Sequence, residues 1–468
     1  MKVKEVSSAI IDKEGRRLDC GPYMSGAIET KELLKKLRAK KDHLRSLTEN
    51  GIGGIINPGR ITRIWVDDPA HGYPFLSSTD ILHSDLSNVS LIAKSAAKKN
   101  RNLLLKKNST LITRSGAIGR MTFARAEMDG MACTEDVLRV IPDESKVLPG
   151  FVFAYLSSRF GVPLIASGTY GSIITHLEPH HIADLPVPRL GNVEELAHEL
   201  VFKAGEELTE SSHLMTEATA KLFKYAGLSE SMNHEFLSDH RRYGWEQKST
   251  TLTSLRGLNY DPRSAELIAA VTNIRHDKLG SLVDRSNFEG HIVFKRIDAD
   301  PEHAVMLVGQ RDAFQLRPDG RWISRKSIEG LGLQVPSGTT VIPCHGTLGE
   351  SELYCRATLV TERTAQYAYS GDFYRCIPKD GLIAPGYLYA YLRSRFAFRI
   401  IRAMSTGSKQ QYQHPALMAN MAIPRLSKEK EAEIAAMVDR AAQLRDHAID
   451  LEDRAVALVE NAIEEEGR

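Results

Sequence analysis

The sequence is poor in the features that mark secreted, membrane-spanning and metal-binding proteins. Its five cysteines are scattered and form no CxxC pair, which argues against both a disulfide framework and a zinc knuckle. No apolar run approaches the roughly 20 residues that a membrane helix needs, and Met1 to Glu5 lack the apolar core of a signal peptide. We therefore expect a cytoplasmic protein with reduced thiols, no metal site and no membrane partner.

Neither sign of charge dominates the chain. Lys and Arg number 61 against 59 Asp and Glu, a formal net charge of +2. A total this close to neutrality does not identify a nucleic-acid-binding protein, because phosphate binding depends on local clusters of cations. The length of 468 residues, with 42% hydrophobic and 26% charged residues, predicts a folded chain of two or more domains.

The two halves of the chain resemble each other, which is the strongest signal in the sequence. The later segments match at a constant offset of 236 residues, and the offset slips to 230 or 235 further upstream, as expected where loops differ in length. The matched segments are Leu44–Leu47 with Leu279–Leu282, Gly116–Gly119 with Gly346–Gly349, Arg139–Pro142 with Arg375–Pro378, Gly150–Phe160 with Gly386–Phe396, and Val187–Leu190 with Ile423–Leu426.

Each half begins with a segment of mixed character and ends with a long helix. Short Val/Ile/Leu runs broken by Gly and Pro predict strands, and Pro149 and Pro385 precede apolar residues at helical spacing. Each head should therefore be an α+β domain. The segments that follow carry apolar residues at alternating steps of four and three, which is a heptad pattern. The predicted seam positions are Val201, Gly205, Leu208, Ser212, Met215, Thr219, Leu222 and Ala226 in the first segment and Met437, Ala441, Leu444, Ala448, Leu451, Ala455, Leu458 and Ala462 in the second.

Small residues alternate with large ones along both seams, so two helix backbones could approach closely. We expect the two helices to pair as an antiparallel coiled coil. A helix of about 34 residues would extend roughly 50 Å, comparable to about 15 base pairs of B-DNA. The alternative, in which each helix packs only on its own head, stays open at this point.

A set of short motifs accompanies the repeat. It comprises the GxxG turns at Gly116 and Gly346, Lys278–Asp284, Tyr155–Ser158 with Tyr391–Ser394, and Ala183–Pro188 with Met421–Pro424 before the helices. Together with the two heads and two helices, these motifs resemble the specificity subunit of Type I restriction-modification systems over nearly the whole chain. The additional segment Met1 to Asp42 departs from that pattern and leaves open a specificity-like subunit of another defence system.

The resemblance implies a division of labour. Each head would be a target-recognition domain that reads one half of a split double-stranded DNA sequence, and the helices would space the heads and dock two methyltransferase subunits. A restriction-translocase subunit could join the same complex. The chain itself would catalyse nothing and would hold no cofactor.

Motifs for catalysis are indeed lacking in the sequence. There is no GxxxxGK[ST] phosphate loop, which excludes the usual ATP-driven translocase. Asn57-Pro58-Gly59 lacks the second proline and the aromatic ring with which an adenine methyltransferase holds a flipped base. His176, His180 and His181 could suggest a metal site, but their counterparts in the second half are Tyr412, Ala416 and Leu417. We interpret them as surface or helix-start histidines.

Two kinds of segment are candidates for DNA contact. The stretch from Lys94 to Arg114 holds seven cations and no carboxylate, which suits phosphate binding but also describes an ordinary solvated face. The loops Ser405–Tyr412 and Ser167–Ser172 carry polar side chains and glycines suited to base reading, although both could be inert turns. The candidate DNA-binding residues are Lys98, Lys99, Arg101, Lys106, Lys107, Arg114, Tyr170, Ser172, Ser408, Lys409, Gln410 and Gln411.

The sequence therefore predicts an α+β protein with two tandem target-recognition domains, each followed by a long helix. The expected boundaries are 1–190 and 229–426 for the domains, the latter with its linker, and 191–228 and 427–468 for the helices. The expected function is to read a bipartite duplex target and direct a partner adenine methyltransferase in phage defence. An interaction scaffold without DNA, and an enzyme with an unrecognised active site, are the alternatives from other classes.

Overall fold

The computed structural model describes residues 3–13, 16, 20–115, 118–167, 176–229, 254–286, 288 and 290–467. Contacts divide the chain into two units. The first unit comprises Met1–Leu82, Val89–Thr209 and His447–Arg468, and the second comprises His83–Asn88 and Glu210–Asp446. Two long helices each contribute one part to each unit.

The first unit contains short strands, short helices and parts of both long helices. Its helices are α1 (Ser8–Lys13), α2 (Gly21–Met24), α3 (Ala27–Lys36), α4 (Lys94–Lys99), α5 (Pro149–Ser157), α6 (Gly161–Ser167), α7 (Pro179–Ile182) and the first part of α8 (Asn192–Ala226). Its strands are β1 (Lys41–His43), β2 (Ile55–Ile56), β3 (Trp65–Val66), β4 (Gly72–Leu76), β5 (Leu91–Ala93), β6 (Thr110–Thr113), β7 (Met121–Phe123), β8 (Ala132–Cys133), β9 (Val137–Val140) and β10 (Pro186–Pro188). They form sheets of order β2-β9-β6-β7, β3-β5-β4-β8 and β1-β10.

The second unit has a similar set of elements. Its helices are α9 (Pro262–Thr272), α10 (Leu279–Leu282), α11 (Pro385–Leu392), α12 (Arg395–Ala403), α13 (Pro415–Ala419) and the first part of α14 (Lys428–Gly467). Its strands are β11 (His276–Lys278), β12 (Ala304–Val308), β13 (Gly320–Ser324), β14 (Thr340–Pro343), β15 (His345–Gly346), β16 (Thr358–Leu359), β17 (Ala368–Tyr369), β18 (Phe373–Cys376), β19 (Ser405–Gly407), β20 (Gln411–Gln413) and β21 (Ala422–Pro424). The sheets are β13-β12-β17, β16-β14-β18, β15-β20-β19 and β11-β21.

The repeat in the sequence is also a repeat in strand pairing. In the first unit Leu111 of β6 lies opposite Arg139 of β9, and in the second Val341 of β14 lies opposite Arg375 of β18. These pairs are related by the offsets of 230 and 236 that the sequence shows. Three strand pairings recur in this way. The antiparallel pair β6–β9 of the first unit corresponds to β14–β18 of the second, and the antiparallel pair β1–β10 corresponds to β11–β21. The parallel pair β4–β8 corresponds to β12–β17.

In each unit the matched apolar helix lies in the core against a long helix. Helices α5 and α11 are buried over almost their whole length. A Cβ on Gly150 would lie 2.8 Å from the Cα of His198, and one on Gly386 would lie 3.0 Å from the Cα of Ala435. Glycine at these two positions therefore lets α5 approach α8 and α11 approach α14 at backbone distance.

The long helices α8 and α14 pack together in antiparallel directions, as predicted. In the second unit Ser211 Oγ donates a hydrogen bond to the carbonyl oxygen of Ala441 at 2.7 Å, and Lys221 pairs with Glu433 at 2.8 Å. In the first unit His447 Nδ1 lies 2.7 Å from Glu207 Oε2. The mixed α+β class and the packing of the two long helices are thus confirmed.

The predicted seam of α14 is wrong towards both ends of the helix. Met437 and Leu458 are only partly buried, whereas Val438 and Val459 are fully buried. A straight helix drifts by about 20° per heptad, and the end regions also pack into the cores of the units. Val438 belongs to the core of the second unit and Val459 to that of the first, so the helices both pair and pack on the heads.

All five cysteines are free, as expected, and only Cys20 is exposed. No single helix in the described part of the chain is long and apolar enough to cross a membrane. Helices α5 and α6, bent by 71°, pass that test only when they are taken together.

Candidate nucleic-acid interface

A β-hairpin in the second unit carries one of the loops predicted to read bases. Strand β19 pairs antiparallel with β20, with Gly407 opposite Gln411, and Ser408 to Gln410 form the turn. Strand β20 also pairs with β15, where His345 lies opposite Tyr412. An isolated two-stranded hairpin is only marginally stable. Pairing with the third strand, β15, therefore stabilises this hairpin within the unit.

Buried hydrogen bonds fix the base of the hairpin. The hydroxyl of Tyr354 lies 2.9 Å from Ser405 Oγ, and the Tyr374 hydroxyl donates to the carbonyl oxygen of Gln413 at 2.9 Å. The side-chain amide of Gln413 donates to the carbonyl oxygen of Pro343 at 3.0 Å. Burial raises the pKa of Tyr354 far above its usual range, so its hydroxyl stays protonated. The base is therefore held rigidly, and the turn projects from it.

Three of the four predicted residues lie at the tip of the hairpin. Ser408, Lys409 and Gln410 are exposed. Gly407 has a φ of 91°, and a Cβ there would collide with the carbonyl oxygen of Gln410, so the turn requires glycine. The fourth residue, Gln411, is buried and donates to the carbonyl oxygen of Ser408. Gln411 therefore shapes the turn, while the other three side chains face solvent.

The equivalent loop of the first half cannot be compared with this hairpin. Its candidate residues, Tyr170 and Ser172, lie outside the described residues. The interface in the first unit therefore has to be judged from its basic segment.

The basic segment of the first unit follows β5 and ends at β6. Lys98 and Lys99 lie in the last turn of α4 and are exposed, as are Arg101 and Lys107. Lys106 is also exposed, but its ammonium group forms an ion pair with Glu49. Five of the predicted cations are thus exposed, as phosphate contact requires, and one of them, Lys106, already pairs with a carboxylate.

Arg114 is placed differently from the other predicted cations. Its side chain is 14% exposed, its Nε donates to the carbonyl oxygen of Leu177 at 3.0 Å, and its guanidinium forms an ion pair with Glu178. Burial opposes the charged form of Glu178, but Arg114 outweighs that effect and keeps the pKa of the carboxyl below its usual value. Arg114 therefore ties the end of β6 to the segment before α7.

A cluster of arginines beside the hairpin was not predicted. Arg395, Arg399 and Arg402 lie on α12, and Arg402 and Arg399 pair with Glu350 at 2.5 and 3.6 Å. Burial and the neighbouring arginines lower the pKa of Arg399 to about 10, against the opposite effect of Glu350. Arg399 and Arg402 thus share one carboxylate. Their spacing of four and three residues is visible in the sequence and could have revealed a cationic helix face.

No protein-family model matches the chain, and no curated protein matches it. Solved structures do. The S subunit of a Type I restriction-modification system from M. genitalium aligns with 91% of this chain and 95% of its own, at 12% identity and a TM-score of 0.35. The HsdS subunit from Thermoanaerobacter tengcongensis aligns with 91% of this chain and 96% of its own, at 12% identity and a TM-score of 0.26.

A third match comes from a structure of the Type I restriction-modification system described as the basis of its complex assembly and conformational transition. It covers 91% of this chain and 97% of that one, at 13% identity and a TM-score of 0.27. The resemblance stated from the sequence is therefore found again among solved structures. Because these TM-scores are below 0.5, the similarity does not establish a function for this chain. The function has to be argued from the geometry of the chain itself.

Proposed function

We propose that this chain is a non-catalytic DNA-recognition subunit that reads a bipartite duplex sequence and directs a partner adenine methyltransferase to it. The observation that carries the proposal is the recurrence of strand pairs in the same register in both units, each set followed by a long helix. Two copies of one domain in a single chain suit two half-sites, and differences between the copies would make the target asymmetric.

Base reading falls to the hairpin tip in this proposal. Ser408 and Gln410 supply donors and acceptors of the kind that match base edges in the major groove. Lys409 adds a cation next to them, and the buried bonds of Tyr354 and Tyr374 keep the tip in place. A preorganised tip loses little conformational entropy when it binds.

Phosphate contact falls to exposed cations. Lys98, Lys99, Arg101 and Lys107 supply it in the first unit, and in the second unit Lys409 is joined by the exposed Arg395 of α12. Lys106 and Arg114 already pair with carboxylates of the chain, so a phosphate would have to compete with Glu49 and Glu178 for them. Such contacts position the protein without reading sequence.

The long helices have the partner-binding role in this proposal. They would set the spacing of the two half-sites and dock the methyltransferase, with two copies expected from the repeat. A restriction-translocase subunit would join the same assembly. The domain boundaries 1–190, 191–228, 229–426 and 427–468 belong to the same proposal.

The test is reconstitution of this chain with the products of neighbouring genes. The purified complex is offered a randomised duplex library at several salt concentrations, and bound sequences are read together with adenine methylation. We expect a split motif, binding that weakens steeply with salt, and methylation only when both this chain and a methyltransferase are present.

Other outcomes would identify the alternatives. Methylation or cleavage of DNA by this chain alone would indicate an enzyme with an unrecognised active site. Partner binding without any DNA binding at low salt would indicate a scaffold. A split motif bound with a partner other than a methyltransferase would indicate another defence system.

A further inference from the structure

Three side chains capable of binding a metal converge in the second unit beside the base of the hairpin. The ligand atoms of His291, His345 and Asp372 all lie within 4.8 Å of one another, and His345 Nδ1 is 3.5 Å from Asp372 Oδ1. His345 and Asp372 are partly buried and His291 is exposed. Within the described part of the chain no other group of histidine, cysteine and acidic residues meets this spacing.

Backbone hydrogen bonds hold the three contributing segments together. The amides of His291 and Ile292 both donate to the carbonyl oxygen of Gly371, the second at 3.0 Å. The amide of Cys344 donates to the carbonyl oxygen of Asp372 at 2.9 Å. His291 has a φ of 69°, a conformation that favours glycine and that the surrounding bonds must maintain. The side chains are therefore brought together by the backbone rather than by mutual attraction.

We propose that His291, His345 and Asp372 bind a divalent transition-metal ion, with Zn²⁺ as the best fit. Two imidazole nitrogens and a carboxylate oxygen are a ligand set that zinc uses, with water at the fourth position. Magnesium and calcium prefer oxygen ligands throughout. Metal binding at this site would be a further property of the chain, and it does not depend on the proposed DNA-binding role.

The spacing of the ligand atoms suits this ion. With zinc–nitrogen distances of about 2.0–2.1 Å, tetrahedral ligand atoms lie about 3.3–3.4 Å apart. The His345–Asp372 pair is already close to that separation. The remaining separations, all within 4.8 Å, would have to shorten for the three ligand atoms to share one ion, and His291 is the exposed member of the three.

The described part of the first half has a different pair of side chains at the positions of His345 and Asp372. In the matched segments Ser115 takes the place of His345 and Asp136 takes the place of Asp372. Ser115 Oγ donates a hydrogen bond to Asp136 Oδ1 at 2.9 Å. A hydroxyl–carboxylate bond thus occupies the position of the histidine–carboxylate pair, and we expect one ion per chain.

The ion would act on the hairpin through β15. His345 belongs to β15, which pairs with β20, and its ring lies 6.4 Å from that of Tyr412. Fixing His345 to two other segments would restrain the strand on which the hairpin rests. Bound zinc should therefore slow the opening of the hairpin. It should also raise the melting temperature of the protein, by an amount that grows with the logarithm of the free zinc concentration.

The binding test uses the full chain without a polyhistidine tag. Zinc chloride is titrated by calorimetry in a weakly coordinating buffer. Wild type should bind one ion, and His345→Ser, which installs the first-half residue, should lower the affinity at least tenfold. His303→Ser changes an exposed histidine of the same unit and should bind as wild type does. Asp372→Asn gives a second variant should His345→Ser lose its circular dichroism spectrum.

Hydrogen exchange supplies the second readout. Zinc should slow amide exchange over Ser405–Gln413 in wild type and in His303→Ser, but not in His345→Ser or Asp372→Asn. The proposal is overturned if wild type binds zinc no more tightly than the site variants. Its effect on the hairpin is overturned if zinc binds at the site and exchange over Ser405–Gln413 stays unchanged.

Discussion

Glu431 accepts two hydrogen bonds from the guanidinium of Arg425, at 2.8 and 3.0 Å, where the last long helix begins. It also accepts one from the backbone amide of Leu426 at 2.9 Å. Glu194 and Arg189 make the same pair of bonds at the start of α8, at 3.0 and 2.8 Å. Both glutamates are more than nine-tenths buried. The two long helices therefore begin with equivalent charge-assisted caps.

Removing either cap should destabilise the protein. Glu194→Ala and Glu431→Ala each leave a backbone amide without its side-chain acceptor and take two acceptors from a partly buried arginine. Each arginine keeps a second ion pair, with Asp42 or Asp277, so we expect each variant to lower the free energy of unfolding by about 1–2 kcal/mol. Urea denaturation measures the change. Glu195→Ala alters the exposed neighbour of Glu194 and should cost less than about 0.5 kcal/mol. Equal effects of Glu194→Ala and Glu195→Ala would show that the cap contributes nothing.

Adding a methyl group at the glycines of α5 or α11 should also destabilise. Alanine favours a helix by about 1 kcal/mol over glycine, yet its Cβ at Gly386 would lie 2.7 Å from the carbonyl oxygen of Ala435. We expect Gly150→Ala and Gly386→Ala to lower the free energy of unfolding by about 1–3 kcal/mol. Thermal denaturation measures this. Gly53→Ala, where the nearest atom is 3.5 Å away, is the control and should change little.

Asp85 should make stability depend on pH. Burial favours its neutral form, but Arg393 and hydrogen bonds from Ser87 and Arg393 outweigh burial and keep the pKa of Asp85 well below its usual range. Arg393 Nη2 lies 2.6 Å from Asp85 Oδ2, and both residues belong to the second unit. Because the pKa of Asp85 is lower in the folded state, the ionised carboxylate contributes fully to stability above the pKa of the unfolded chain, about 3.9. This contribution to the free energy of unfolding is lost as the pH falls below that value.

The variant Asp85→Asn removes that charge. Because 32% of the Asp85 side chain is exposed, we expect a loss of about 2 kcal/mol at pH 7, below the usual cost of breaking a fully buried pair. The difference from wild type should shrink as urea denaturation is repeated at lower pH. Glu302→Gln, at an exposed acid of the same unit, should be neutral throughout. A difference that is the same at every pH would exclude the ion pair as its cause.

Two sets of DNA-contact variants should behave differently. Ser408→Ala with Gln410→Ala should relax preference at base pairs of one half-site, by about 1–3 kcal/mol for each lost bidentate contact. Binding selections with randomised half-sites measure this. The other half-site is the internal control, and an equal loss of preference in both halves would count against base reading by the hairpin.

The lysines of the basic segment should affect affinity without affecting preference. Lys98→Ala, Lys99→Ala and Lys107→Ala together should weaken binding to all duplexes and reduce the slope of log affinity against log salt by about 3. Binding isotherms at several salt concentrations give the slope. Replacing the exposed Lys203 and Lys224 of α8 should leave it unchanged. An unaltered slope in the triple variant would remove the basic segment from the interface.

Most of the architecture could be predicted from the sequence because the same segments occur in both halves of the chain. Offsets between the matched segments predicted which strands would recur, and the registers of β6 with β9 and β14 with β18 follow those offsets. Helical periodicity likewise predicted α8 and α14. The seam was predicted less well, since a heptad count ignores the cores of the units, which bury Val438 and Val459.

The candidate site was only partly predictable. Composition identified exposed cations and a polar turn, but it gave no sign that Arg114 would be engaged by Glu178 or that Gln411 would face inward. The trio His291, His345 and Asp372 was missed because its members are far apart in the sequence and form no spaced motif.

The sequence by itself determined the duplication, the mixed class of the heads and the two long helices, because repeats and periodicity are local patterns along one dimension. Only the tertiary structure decided which charges are already paired, which loop residues project and which ligands converge. Those properties depend on the approach of segments distant in the chain, such as Asp372 to His345, and burial and electrostatics act only once that approach has been made.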